Sequence, residues 1–405
     1  MTTETTTKDT GHARYTFRVR LSNTARRRLE AEWDRCRWIW NECVAKSQQV
    51  HAQGRASGEK LTCGPAQLDK MLTEARRATP WLAEGASVPQ QQVIRDFATS
   101  RAKALKDIGD RLPMHRRAGM PRWKKKREAR PSLNYTKRGF RLKDGRLHLA
   151  GGIVLTVVWS RELPADPSSV RVYQDTLGHW YVSFVVAAQS EPLARTGRVL
   201  GVDWGVKETA TTTDDAYDLA HAQHGERAAQ RLARYQRMMA RRRPKGQPAS
   251  AGYRQAQAQA AKLHKKIARQ REDTARKWAK RVMRGHDGVA LEDFRPRFLA
   301  KTTMARKAAD AAIAATKRAL CEMGRKHRRE VRLVHPAHTT RDCAQCGART
   351  KHALPLSMRT YACTVCGAVS PRDKNSARVM LVRAGWNPDG AEGVRPPEPP
   401  APVAA

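Results

Sequence analysis

The sequence predicts an α/β domain preceded by a β part that carries a helical insertion, with a cysteine-bound insertion near the C-terminus. Three patterns carry that prediction. A strictly alternating strand at residues 14–21 precedes long helical stretches, strand and helix alternate from about residue 198, and two Cys-x-x-Cys pairs follow. At 405 residues the chain is long enough for two or three domains, which excludes a single small stapled module.

Arg14 to Leu21 places Tyr15, Phe17, Val19 and Leu21 on one face and Arg14, Thr16, Arg18 and Arg20 on the other, the period of a half-buried strand. Ser22 or Thr24 can cap the helix that follows. Its apolar positions Leu29, Trp33, Cys36, Trp40 and Cys43 recur every three or four residues and mark a core-facing stripe. Helix formers continue through Gln67–Arg77 and Val88–Ile108, with Pro80 and Pro89 expected as breaks. Residues 115–130, HRRAGMPRWKKKREAR, gather basic side chains around Trp123. Such a run is either a solvated linker or a segment that tracks phosphates through Arg116, Arg117, Arg122, Trp123, Lys124, Lys125 and Lys126. Leu147–Trp159 and Val170–Val186 read as strands, the second turning at Asp175–Gly178.

From Arg198 onward the order is strand Val199–Asp203, strands near 207–213 and 216–220, basic helices over 223–284, strand Val289–Glu292, helix 304–327 and strand Val331–Val334. Within it Lys262, Lys265, Lys266, Arg269, Arg276, Lys277 and Lys280 recur at helical spacing, as a solvated face or the wall of a nucleic-acid channel.

Lys and Arg number 78 against 38 Asp and Glu, a net charge of +40. A surplus of that size repels itself unless a polyanion offsets it, so the partner expected is nucleic acid. The longest apolar run, Gly151–Trp159, falls short of the ~20 residues of a membrane helix, and the Thr-rich first twelve residues lack a signal peptide's apolar segment. The expectation is a soluble, cytoplasmic protein with no membrane partner. Residues 1–13 and the proline-rich tail 387–405 are expected to be disordered.

Cys343-x-x-Cys346 and Cys363-x-x-Cys366, sixteen residues apart, have the spacing of a four-thiolate zinc site, and Gly347 and Gly367 let each knuckle close. Four protein ligands leave no open position, so the zinc is structural. Cys36, Cys43, Cys63 and Cys321 lack ligand spacing and read as core thiols. Asp203 and Glu292 end apolar strands, and Asp373 precedes the apparent helix Lys374–Arg383. Singly, each has an ordinary explanation as a solvated strand end or helix cap. Together they form an acidic set that can hold two Mg²⁺, or Mn²⁺, for phosphodiester hydrolysis.

The ordered motifs Gly201-Val-Asp-Trp-Gly-Val-Lys, Leu291-Glu-Asp-Phe, Val334-x-Pro-x-x-Thr-Thr-x-x-Cys-x-x-Cys-Gly, Cys363-x-x-Cys-Gly and Arg372-Asp-x-Asn-Ser-Ala resemble the RuvC-like nuclease domain of TnpB proteins, transposon-encoded relatives of miniature type V CRISPR effectors. Upstream, Gly139-Phe-Arg-Leu, Trp159–Pro164 and Gly178-His-Trp-Tyr-Val-Ser-Phe resemble that family's wedge domain, so the likeness spans nearly all of residues 14–386. It implies an RNA-guided DNA endonuclease that binds a guide RNA, recognises a short motif beside its double-stranded DNA target and cleaves with Mg²⁺. Its catalytic acids fall on Asp203, Glu292 and Asp373. One departure is visible: many members read Asp-Arg-Asp where this chain reads Pro371-Arg372-Asp373. The implied organisation is a wedge β-domain (14–21 and 131–195), a helical recognition domain (22–130), an RNase H-like (RuvC) nuclease domain (196–335 and 367–386) and a zinc-ribbon insertion (336–366). An RNA-guided repressor without cleavage and a protein-only RNase H-like transposase are the competing readings. The implied setting is the bacterial cytoplasm, on the nucleoid when DNA is bound.

Overall fold

The computed structural model describes residues 11–205, 207–243, 248–294, 302–352, 354–355 and 357–386. The tail 387–405 and residues 1–10 lie outside the described residues. The chain divides into two compact units, one of residues 11–188 and one from residue 189 onward.

In the first unit, strand β1 (His12–Arg20) starts at His12, so residues 12 and 13 belong to a strand and not to a disordered end. Phe17 and Val19 are buried while Arg14, Arg18 and Arg20 are exposed, the two faces that the alternation demands. Ser22 caps helix α1 (Asn23–Ser57), its Oγ accepting from the Ala25 N–H at 3.1 Å, and Gly58 ends the helix at φ +72°. Leu29, Trp33, Cys36 and Cys43 of the stripe are buried and Trp40 partly so, which makes the stripe core. Helices α2 (Pro65–Ala78), α3 (Pro80–Ala83) and α4 (Ser87–Gly109) follow. Pro80 does break the helical run, since α2 ends at Ala78 and Thr79 before the proline is extended, but Pro89 does not. Each lies in a first turn, where its missing N–H has no intrahelical partner to lose.

Strands β2 (Ser132–Thr136), β3 (Phe140–Lys143), β4 (Arg146–Leu149), β5 (Ile153–Val158), β6 (Ser169–Gln174) and β7 (Trp180–Ala187) join β1 in an antiparallel sheet ordered β2-β6-β7-β1-β5-β4-β3. β1 is central, setting Phe17 opposite Val182 and Val19 opposite Val157. The helices therefore interrupt the sheet in sequence, between its middle strand and the rest. The expected strand 147–159 is two strands, separated where Gly151 and Gly152 adopt φ +86° and +69°. Asp175 closes the β6–β7 turn by accepting from the N–H groups of Leu177 and His179 at 2.8 and 2.9 Å. Leu147, Val172 and Phe184 of the sheet share one core with Leu29, Ile39, Leu68 and Ile94 of the helices. Each such burial contributes about 1.5–3 kcal/mol before entropy is counted.

In the second unit, strands β8 (Val199–Trp204), β9 (Glu208–Thr212), β10 (Leu219–Ala220), β11 (Gly288–Glu292) and β12 (Glu330–Val334) form a mixed sheet ordered β10-β9-β8-β11-β12. β8, β11 and β12 run parallel, and β9 and β10 are antiparallel to their neighbours. Helices α5 (Ala229–Arg241) and α6 (Ala251–Gly285) fill the basic stretch. The expected helix 304–327 is two, α7 (Ala305–Ala311) and α8 (Ile313–His327), because Ala312 turns left-handed at φ 53°. Leu200, Val202, Val289 and Leu291 pack with Trp278, Val282 and Met283 of α6 and Leu320 of α8. On the other face Val199 and Ala290 meet Met380 and Leu381 of α9 (Arg372–Arg383). A short pair, β13 (Thr360–Ala362) and β14 (Val369–Pro371), leads into α9. Among the described residues no helix is long and apolar enough to cross a membrane.

Candidate functional site

Strand periodicity brings the carboxylates together. Side chains alternate along β8 and β11, so if Val199 and Ala290 face α9, Asp203 and Glu292 do as well. The parallel register sets Val202 beside Leu291, leaving Asp203 and Glu292 as neighbours at adjacent strand ends. Gly201 lets α9 approach, for a Cβ there would lie 2.0 Å from the Ala377 carbonyl oxygen. Asp373 sits one helical turn before Ala377, so the same close approach carries it toward the two strand-end acids.

The electrostatics report that convergence. Burial, then the charges of Glu292 and Asp373, push Asp203 well above the usual carboxylate range, with Arg372 opposing. Burial lifts Glu292 to about 7 against an N–H from Trp204 and the cation of Lys317. Asp203 and Glu292 are each 8% exposed, whereas the Asp373 side chain is 47% exposed and has Arg359 at 3.9 Å. Trp204 is buried edge-on to Trp278, and its Nε1 donates to the Glu292 carbonyl at 3.1 Å. Buried carboxylates that repel one another with little cationic cover suit a divalent cation.

No local pattern points to Lys317 and Lys374, which border this site. Lys317 pairs with Asp293, directly after Glu292. Lys374 donates to the Thr212 carbonyl at 2.9 Å and to Asp218 at 2.8 Å. These partners lie too far along the chain for periodicity or spacing to reveal them.

The four cysteine sulfurs converge within 4.8 Å of one another. Cys343 and Cys366 Sγ are 3.7 Å apart, Cys346 and Cys363 Sγ 3.6 Å. A tetrahedron of Zn–S bonds of about 2.3 Å has edges of about 3.8 Å, so the thiols fit zinc. Both knuckles close alike. Cys343 N–H donates to the Ala348 carbonyl and Cys363 N–H to the Ala368 carbonyl, each at 2.9 Å, and Gly347 and Gly367 turn at φ +73° and +71°. Burial opposes ionisation of Cys363, but the N–H groups of Cys366 and Val365 and hydrogen bonds with the Cys346 and Cys366 thiols together bring it to about 6. Cys36, Cys43, Cys63 and Cys321 are buried, as core thiols should be.

The basic segment 115–130 is docked on α1. Trp40 Nε1 donates to the Arg122 carbonyl at 2.8 Å, and the Lys124 N–H donates to Asn41 at 2.8 Å. Lys124 lies over Trp40 at 3.5 Å and Trp33 at 5.5 Å, and burial drops its ammonium to about 8. It faces protein, unlike Arg116, Arg122, Trp123, Lys125 and Lys126, which are exposed, while Arg117 is half-buried. Lys125 pairs with Glu128 and Lys126 with Asp34, both at 3.2 Å. On α6, Lys262, Lys266, Arg269, Lys277 and Lys280 are exposed and Lys265 half-buried. Arg276 and Lys277 hold Glu272 and Asp273 at 3.2 and 2.8 Å, exposed pairs of the kind that contribute little to stability.

Residues 183–303 match a family model described as "Probable transposase", and residues 315–380 match one described as "Cas12f1-like, TNB domain". A Streptomyces pristinaespiralis protein described as "Putative RNA-guided DNA endonuclease" is 31% identical over 364 residues, covering 87% of each chain. The cryo-EM structure of a Cas12f1–sgRNA–target DNA complex superposes with a TM-score of 0.50 at 13% identity, over 87% of this chain and 81% of that one. CasPhi-2 bound to crRNA gives 0.41 at 10% identity, over 92% and 98% of the two chains. The Cas12f1 match shows a shared fold. The full-length relative and the ordered motifs place the family: this chain belongs to the TnpB family.

Proposed function

We propose that the protein is an RNA-guided DNA endonuclease, with a guide RNA to select the target strand and the carboxylate site to cut DNA. The observation that carries the proposal is that Asp203 and Glu292 are neighbours at the adjacent ends of two central strands, with Asp373 near enough on α9 for its charge to act on Asp203, in a chain with net charge +40. A mixed sheet with acids at the ends of two central strands supports an RNase H-like (RuvC) reading of 196–335 and 367–386, with 336–366 as a zinc ribbon. Residues 14–21 and 131–195 are then the wedge and 22–130 the recognition insertion.

Asp203, Glu292 and Asp373 would hold Mg²⁺. When bound, Mg²⁺ activates a water and stabilises the leaving 3′ oxygen of a phosphodiester. Asp203 and Glu292 supply oxygen ligands at fixed positions, because strand pairing and the Trp204 contact with the Glu292 carbonyl leave the two ends little freedom. Asp373 stands nearer solvent than the other two acids. Basic groups hold the nucleic acid: the exposed β1 arginines, the 115–130 segment and the α6 lysines. In the first unit a cavity of about 440 Å³ lined by Arg18, Arg20, Arg26 and His179 adds an anion-binding recess. Retention of all three acids favours cleavage over an idle, repressor-like relative.

The decisive experiment purifies the chain expressed with its native flanking locus, sequences RNA that survives high salt, and assays cleavage of a matching DNA. Asp203→Ala should abolish cutting and leave ribonucleoprotein assembly intact, since phosphate binding and metal chemistry are separate. Cutting at the wild-type rate removes the catalytic assignment. Absence of a discrete RNA removes the guided one.

A further inference from the structure

Asn375 follows Asp373 by two residues on α9 and is buried, 4% exposed. Its amide grips the first cysteine knuckle on both sides of Cys343. Nδ2 donates to the Asp342 carbonyl at 2.7 Å and Oδ1 accepts from the Ala344 N–H at 3.1 Å. The helix that presents Asp373 is thus bonded to the backbone on either side of a thiol of the four-cysteine cluster. Arg372 and Lys374, the neighbours of Asp373, are also tied: Arg372 donates to the Pro355 carbonyl and Lys374 to the Thr212 carbonyl, each at 2.9 Å. At the far end of α9, Arg383 reaches Asp342 at 2.6 Å.

Asp373 differs from the other two acids in what fixes it. Asp203 and Glu292 are placed by strand pairing, whereas the Asp373 carboxylate is half-exposed and has the solvent-facing Arg359 at 3.9 Å. Its position follows the backbone of the first turn of α9, and Asn375 joins that turn to the knuckle. We infer that Asn375 is a positioning residue that passes the geometry of the zinc-bound knuckle to Asp373, so that the structural zinc sets the divalent-cation affinity of the carboxylate site. This rests on the carboxylate reading proposed above.

The test uses the full chain with its copurified RNA and follows Mn²⁺ binding by the electron paramagnetic resonance signal of the free ion. Asp203→Asn is measured first. If it leaves Mn²⁺ affinity unchanged, the carboxylate reading itself is wrong, and the coupling falls with it. Given a loss there, Asn375→Ala should weaken Mn²⁺ binding by roughly 10–100-fold, the range for residues that orient ligands. Zinc content and RNA binding should remain at wild-type levels, which simple loss of the knuckle would not allow. Mn²⁺ affinity within twofold of wild type, with zinc retained, overturns the inference. If Asn375→Ala does not fold, the wild-type chain is stripped with a zinc-selective chelator and titrated after the chelator is removed. A comparable fall supports the coupling, and an unchanged Mn²⁺ affinity overturns it.

Discussion

A methyl group at Gly201 tests the mechanical link between sheet and helix. Its Cβ would meet the Ala377 carbonyl oxygen at 2.0 Å, the Ala377 carbonyl carbon at 2.9 Å and Leu381 Cγ at 3.0 Å. The worst obstacle is backbone, which cannot rotate aside as a side-chain tip could. Opening that contact from 2.0 to 3.0 Å moves α9 by 3.0 − 2.0 = 1.0 Å. Overpacking of this kind costs about 1–3 kcal/mol. At roughly 2–4 °C per kcal/mol for a unit of this size, Gly201→Ala should lower Tm by about 2–12 °C. Asp373 travels with α9 while Asp203 and Glu292 stay on the sheet, and a misplacement of about 1 Å can cost on the order of 100-fold in rate. Calorimetry of the purified ribonucleoprotein and single-turnover cleavage of a matched DNA measure the two effects. Wild-type melting refutes the close approach. A lowered Tm with wild-type cleavage refutes the step from α9 to Asp373.

Lys124→Met should stabilise the protein at pH 7 and leave RNA affinity unchanged, because this lysine lies against Trp40 instead of facing a phosphate. Its folded-state value of about 8 lies below the ordinary 10.5, so the unfolded chain holds the extra proton between those values. Wild-type stability should therefore rise with pH across that window, and Lys124→Met should remove its share of the rise; denaturant titrations at pH 7 and pH 10 read it, and equal pH dependence in both proteins counts against it. Cys343→Ser should lose zinc by elemental analysis and melt earlier, since the metal contributes folding free energy; full retention of zinc and of Tm would dismiss the structural site. Replacing Lys262, Lys266 and Lys280 with Gln should flatten the salt dependence of nucleic-acid binding by about one unit for each phosphate that is no longer neutralised. An unchanged slope would return that face of α6 to plain solvation.

The parts of the fold written in local periodicity were legible. β1, the buried stripe of α1 and the β6–β7 turn follow from residues within one or two turns of one another, and the structure places them within two residues of expectation. Strands β2 and β3 were not read from their own pattern. Ser132–Thr136 carries only Leu133 and Tyr135 as apolar residues, and β3 is four residues with two of them charged. Sheet pairing decides their state: Leu133 lies opposite Val172 and Tyr135 opposite Val170, partners more than thirty residues away. Pro89 failed as a break for the opposite reason, whereas Pro80 does separate α2 from α3. The local rule holds, but it acts on the helix interior, and Pro89 sits where the first turn of α4 accepts it.

The site divides the same way. Asp203 and Glu292 could be found because an acid that ends an apolar strand departs from its own neighbourhood, and the four clustered cysteines because their spacing is itself the geometry. What makes the acids a site is the register that sets β8 beside β11 and the missing side chain at Gly201 that admits α9. Asn375 marks the limit of local reading. Its family motif was visible, but its bonds run to Asp342 and Ala344, more than thirty residues upstream, and only the folded chain brings them within reach. The loss of the leading acid at Pro371 follows from the same geometry. Residue 371 ends β14 opposite Thr360 and caps α9 without a side-chain hydrogen bond, whereas Asp373 lies inside the first turn and acts on Asp203. An acid at 371 would stand at the end of β14, so proline there leaves Asp203, Glu292 and Asp373 unchanged and fixes φ where the helix begins.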